Sequence, residues 1–109
     1  MIKKKEWRKI MKKLKETILK EEYVVIVVHT EWCGFCKKFA PVFEEVSKEH
    51  GKQYVFAKLD AQLNEELAKE FKVNGFPTIL FMKKGKEIAR EMGYMTKENF
   101  TAVISKHFN

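Results

Sequence analysis

Val24-Val25-Ile26-Val27-Val28 is an unbroken apolar run, and three residues later the chain reads Trp32-Cys33-Gly34-Phe35-Cys36. Stiff β-branched side chains without polar alternation predict a central strand, Tyr23 to His29, covered on both faces as strands of α/β domains are. The two cysteines then lie where that strand hands over to a helix. A helix's first turn carries unpaired N–H groups and a partial positive charge, which stabilise a thiolate and pull its pKa below the roughly 8.5 of a free cysteine. Cys33, at the helix start, is the expected nucleophile.

Downstream, Cys36, Phe39, Val42, Phe43 and Val46 trace the apolar face of this helix, with Pro41 expected to kink it. The helix should end near His50-Gly51, where glycine suits the cap and His50 has a structural place in the last turn. Gln53 to Leu59 reads as a second strand, which makes a βαβ unit. A further helix capped near Asn64 buries Leu67, Ala68 and Phe71. Gly75-Phe76-Pro77-Thr78 leads into a strand at Ile79 to Met82, Lys83 to Lys86 turns the chain, and Glu87 to Met92 returns as a charged edge strand. Thr96 caps a last helix with Phe100, Val103, Ile104 and Phe108 inward and His107 packed at its end.

Upstream, Trp7, Ile10, Met11, Leu14 and Ile18 recur at spacings of three and four, which predicts an amphipathic helix over residues 3 to 20. Residues 1 to 20 hold nine basic side chains against Glu6 and Glu16, so this segment carries the whole formal charge of +7 and the remainder is neutral. Its lysines read as a solvated face. No signal-peptide core and no membrane span is legible, so a cytoplasmic protein is expected unless a leader has been removed. At 109 residues the chain is expected to be one domain, residues 1–22 forming the basic helix and 23–109 the core, stable without disulfide staples. His29, His50 and His107 are scattered and do not complete a zinc site with two cysteines, so no metal is expected.

The apolar strand, Trp-Cys-Gly-x-Cys-Lys, a helix containing Ala40-Pro41, the strand end Lys58-Leu59-Asp60, Gly-Phe-Pro-Thr and the turn bearing Gly93 occur in thioredoxin order. Over residues 23 to 108 the chain resembles the thioredoxin family. The resemblance implies an α/β fold, a three-layer α/β/α sandwich around a mixed four-stranded sheet, with the basic helix replacing the usual first strand. It also implies that Cys33 attacks a substrate disulfide and Cys36 resolves the mixed disulfide. The Phe76-Pro77 bond should be cis and lie against the cysteines, leaving the Phe76 backbone to pair with an extended substrate. Trp32, Phe76, Pro77, Gly93 and Tyr94 should form a substrate-binding rim.

Three positions depart from the family pattern. Val27 stands where thioredoxins carry a buried aspartate associated with accepting the inner cysteine's proton, leaving water, aided by Lys58 or Glu31, as the expected proton route. His29 replaces an aromatic residue beneath the site, where an imidazolium would favour the Cys33 thiolate. Phe35 replaces proline in the Gly34-Phe35 dipeptide, which frees φ, restores an N–H near the sulfurs and should shift the couple toward oxidising, within a span of roughly −270 to −120 mV.

The function expected from these residues is thiol–disulfide exchange with protein substrates, as a monomeric reductant recharged by a reductase, with no cofactor beyond the Cys33–Cys36 disulfide and no nucleic acid partner. Two alternatives stand beside it. The basic helix could recruit a binding module to an acidic partner, or the dithiol could handle copper or zinc.

Overall fold

The Tyr23–His29 run forms β1, with Val24 to Val28 all buried. In chain order there follow α1 (Gly34–His50), β2 (Val55–Asp60), α2 (Glu65–Glu70), β3 (Thr78–Lys83), β4 (Lys86–Met92) and α3 (Lys97–Phe108). The structure, a computed structural model, describes Glu16 and residues 21–109. The basic helix expected over residues 3 to 20, and its replacement of a first strand, lie outside the described residues apart from Glu16.

The strands form one mixed sheet in the order β2-β1-β3-β4. β1 runs parallel to β2, with Val27 opposite Lys58 and His29 opposite Asp60. It runs antiparallel to β3, with Val28 opposite Thr78, and β3 in turn pairs antiparallel with β4. Alternation along β1 explains the unbroken apolar run. Val24, Ile26 and Val28 join Leu59, Leu67, Ala68, Leu80 and Met82 in one core. Val25 and Val27 join Phe39, Phe43, Val46, Ile79, Phe81, Phe100, Ile104 and Phe108 in another. Thus α2 covers one face of the sheet, α1 and α3 cover the other, and the expected three layers are present.

The second core is largely aromatic. Phe100 lies 5.1 Å from Phe39 and 5.9 Å from Phe43 between ring centroids, distances at which rings attract beyond simple burial. Lys97, in the first turn of α3, reaches across to Glu45 and Glu49 of α1 at 3.0 and 2.6 Å. These ion pairs are exposed, so the rings rather than the charges hold the two helices together.

Several local expectations are corrected. The kink expected at Pro41 does not interrupt α1, which is one helix from Gly34 to His50. Gly51 is right-handed, at φ −64°, so its lack of a side chain does not serve a left-handed cap. A Cβ there would come within 2.7 Å of the Ser47 carbonyl oxygen, and steric room is what glycine supplies. β2 starts at Val55 rather than Gln53, because the Gln53 and Tyr54 N–H groups still donate to the His50 carbonyl at 3.0 and 3.1 Å. Asn64 precedes α2 without capping it through its side chain. Instead its Nδ2 donates to the Asp60 carbonyl, while the Asp60 carboxylate accepts from the Gln62 and Leu63 N–H groups.

Thr96 caps α3 as expected, accepting from the Asn99 N–H at 3.2 Å. Lys84 and Gly85 both have positive φ, the tight-turn geometry that suits the twist of a β3–β4 hairpin. β4 is guarded by charge, and Arg90 forks between Glu87 and the carbonyls of Phe71 and Lys72, tying this edge to the end of α2.

Candidate active site

Cys33 is the residue before the first turn of α1, in extended conformation, and its Sγ accepts the Cys36 N–H at 3.1 Å. A sulfur thereby satisfies one of the amides that a helix start leaves unpaired, in the place where serine or aspartate usually serves. The same contact points helix-terminal positive charge at Sγ, as a nucleophilic thiolate needs. Both cysteines are free. Cys33 is half-buried, whereas Cys36, one turn further in, is only 7% exposed.

That depth sets the chemistry of the inner thiol. Burial pushes Cys36 up from 9.0 to about 11, and its contact with Cys33 adds to the rise, against hydrogen bonding to the Thr30 backbone that pulls the other way. At neutral pH Cys36 is therefore a protonated thiol that must lose its proton before it can attack.

Strand register gathers the remaining site residues. Val28 sits opposite Thr78, and Thr78 opposite Met92, so the end of β1, the start of β3 and the end of β4 emerge at one end of the sheet. The Phe76-Pro77 peptide there is cis. Pro77 is buried and Phe76 reaches the surface. The Pro77 carbonyl accepts the Gly93 N–H at 2.9 Å, and Gly93 has φ +92°, a conformation that side-chain-bearing residues rarely adopt. Thr78, the buried polar residue of this segment, donates its hydroxyl to the Gly75 carbonyl at 2.6 Å.

The expected rim is unevenly displayed. Trp32 is 82% exposed and Phe35 63% exposed, and both project from the α1 turn beside Gly34. Tyr94 is half-buried, its ring edge-on to Phe39 and covered by the Lys38 ammonium at 4.7 Å from the centroid. Met92, which the sequence reading passed over, is exposed next to Gly93 and lies over Gly75, where a Cβ would meet its terminal methyl at 2.6 Å.

Behind Cys36 is a cavity of about 80 Å³ lined by Val27, His29, Cys36, Phe39, Ala40, Phe43 and Lys58. Val27 occupies its wall, and no carboxylate lines it. Lys58 borders the cavity, but its ammonium is turned outward to Glu44 at 3.0 Å, and both groups are exposed. That hydrogen bond holds the Glu44 carboxyl below its ordinary value. Glu44 was missed by sequence reasoning; it lies fourteen residues from Lys58 on a different element, and no local pattern announces the pair. Glu31 is exposed in the turn before Trp32. Among the described residues no group of three or more His, Cys, Asp or Glu side chains could hold a metal ion, and no helix is long and apolar enough to cross a membrane.

The family model for thioredoxin matches residues 3–106. The chain is 37% identical to the thioredoxin of Bacillus subtilis (strain 168) over 76 residues, 70% of this chain and 73% of that protein. It is also 40% identical over 81 residues to a protein disulfide-isomerase of Datisca glomerata, but that stretch is 16% of the relative's length, so the chain spans about a sixth of that protein. Among solved structures, a thioredoxin of Malassezia sympodialis superimposes with a TM-score of 0.81 at 30% identity, covering 90% of this chain and 85% of that one.

Proposed function

This chain belongs to the thioredoxin family, and from that premise we propose that it is a thiol–disulfide oxidoreductase whose substrates are disulfide-bonded proteins. The observation that carries the reading is the placement of Cys33. Its Sγ caps α1 by accepting the Cys36 N–H, at the end of the sheet where the cis Phe76-Pro77 segment and Gly93 also emerge.

In the forward direction the Cys33 thiolate attacks one sulfur of the substrate disulfide and expels the other as a thiolate, leaving a mixed disulfide. Cys36 then loses its proton and attacks the Cys33 sulfur, which forms the Cys33–Cys36 disulfide and releases the second substrate thiol. Two electrons pass to the substrate. Trp32, Phe35, Phe76 and Met92 give the exposed apolar surface around the nucleophile, which suits flexible or unfolded segments better than one defined side chain. The Phe76 backbone offers pairing to an extended segment, and the Pro77–Gly93 bond fixes the loop that presents it.

We place the chain in a reducing setting, as a monomeric reductant recharged by a separate reductase. The absence of further cysteines in the chain supports this direction, since disulfide-rich architecture is the mark of oxidising compartments. Reduction of insulin disulfides, with dithiothreitol as the electron source, tests the activity. Wild-type protein should accelerate precipitation of the insulin B chain and Cys33→Ser should not. Equal rates with and without the wild-type protein would refute the assignment.

A further inference from the structure

The resolving step needs somewhere for the Cys36 proton to go, and the cavity behind that sulfur narrows the choice. Of the residues lining it, Val27, Phe39, Ala40 and Phe43 cannot accept a proton. Lys58 lines it too, but an ammonium has no free lone pair, and this one is engaged with Glu44 at 3.0 Å on the outer side. His29 remains. Its position follows from the strand: His29 shares a face of β1 with Val25 and Val27, the face packed under α1. An imidazole is also the side chain whose ordinary titration lies nearest neutral pH, which suits it to exchange protons with a thiol at each turnover.

We propose that His29 is the proton acceptor for Cys36 in the resolving step, through the cavity that both residues line. In the mixed disulfide, the Cys36 S–H gives its proton to an unprotonated ring nitrogen of His29, directly or across one water; the cavity, though mostly apolar, is large enough for that water, and His29 and Cys36 are the groups that would hold it. The Cys36 electron pair then forms the bond to Cys33 Sγ. The bond from Cys33 to the substrate breaks with its electrons on the leaving sulfur, and the imidazolium returns its proton to solvent or to that thiolate.

The charged and titratable surroundings are few. From α1 come Cys36, Cys33 at its cap and Glu44, the last committed to Lys58. From β2 come Lys58 and the strand partner Asp60, whose carboxylate accepts the Gln62 and Leu63 N–H groups. Glu31 is exposed in the following turn. The inference rests on the oxidoreductase reading and assigns to the β1 end a role in the second half of that reaction.

Stopped-flow reaction of the fully reduced protein with 5,5′-dithiobis(2-nitrobenzoate) tests it, because the reagent releases one thionitrobenzoate when Cys33 attacks and a second when Cys36 resolves. His29→Gln and His29→Asn should retain the first release and slow the second by about 100-fold at pH 7. The wild-type second phase should reach its full rate at lower pH than the variants, which should recover it only as pH approaches the titration of Cys36 itself. Lys58→Met should slow the second phase less than either His29 variant does. Added imidazole should restore the second phase in His29→Ala. An unchanged second phase in both folded His29 variants, or a loss in Lys58→Met that exceeds theirs, would overturn the assignment. Failure of the first release in the wild-type protein would instead remove the oxidoreductase reading itself.

Discussion

Deprotonating Cys36 should destabilise the reduced protein by a calculable amount as pH rises. The folded chain holds this thiol's proton up to about pH 11, because burial disfavours the thiolate, whereas the burial penalty vanishes in the unfolded chain and the thiol titrates near 9.0. Between those values the unfolded state binds fewer protons than the folded one, so stability falls as pH rises. The contribution is fully present below about pH 9 and is lost as pH passes through about 11. Two units at about 1.4 kcal/mol each amount to about 3 kcal/mol.

Urea denaturation of the reduced protein, with excess reductant, at steps from about pH 8 to about pH 11 measures the effect as the difference between wild type and Cys36→Ala. Lysine and tyrosine titrations common to both cancel in that difference. Wild type should lose about 2 kcal/mol relative to the variant by about pH 11, where Cys36 is half titrated in the folded chain. Parallel curves would show that Cys36 titrates alike in the folded and unfolded chains, and would refute the argument that its depth keeps it protonated.

Other outcomes follow from single features. Phe100→Ala removes a fully buried ring that sits between Phe39 and Phe43 and should destabilise the protein by about 3–5 kcal/mol in chemical denaturation. Gly93→Ala meets no atom within 4 Å but forces a side chain onto φ +92°. It should cost about 1–2 kcal/mol of stability and, by loosening the N–H bond to Pro77, lower insulin reduction more than it lowers the melting temperature. Phe35→Pro should move the Cys33–Cys36 couple, read by equilibration with glutathione, toward the roughly −270 mV of ordinary thioredoxins; a more oxidising variant would reverse the assigned role of Phe35.

Much of this frame was legible because local chemistry and tertiary position agree. The unbroken Val24–Val28 run demanded two covered faces, and β1 received them. Thr96 ahead of an apolar-periodic segment gave a true cap. The less legible features depend on neighbours distant in sequence. Gly51 is explained by the Ser47 carbonyl rather than by its own dihedrals. Asn64 looks like a cap, yet Asp60 and its turn set how the chain enters α2. Lys58 was expected to aid the proton route, but with the apolar Val27 on the cavity wall its ammonium pairs outward with Glu44, fourteen residues away on α1. Met92 reads as one more edge-strand residue until the register brings it over Gly75.

The two-sided burial of β1 bears on how the molecule comes apart. Both cores draw alternate residues from this one strand, so neither lobe can loosen its share of β1 without exposing the other. The backbone amides of β1 should therefore be among the last to exchange with deuterium, opening only when the whole fold opens. The loop carrying Cys33 hangs from that slowest segment. Any transient motion that bares Cys36 to solvent must then arise from the first turns of α1 lifting off the sheet, leaving the strand beneath in place.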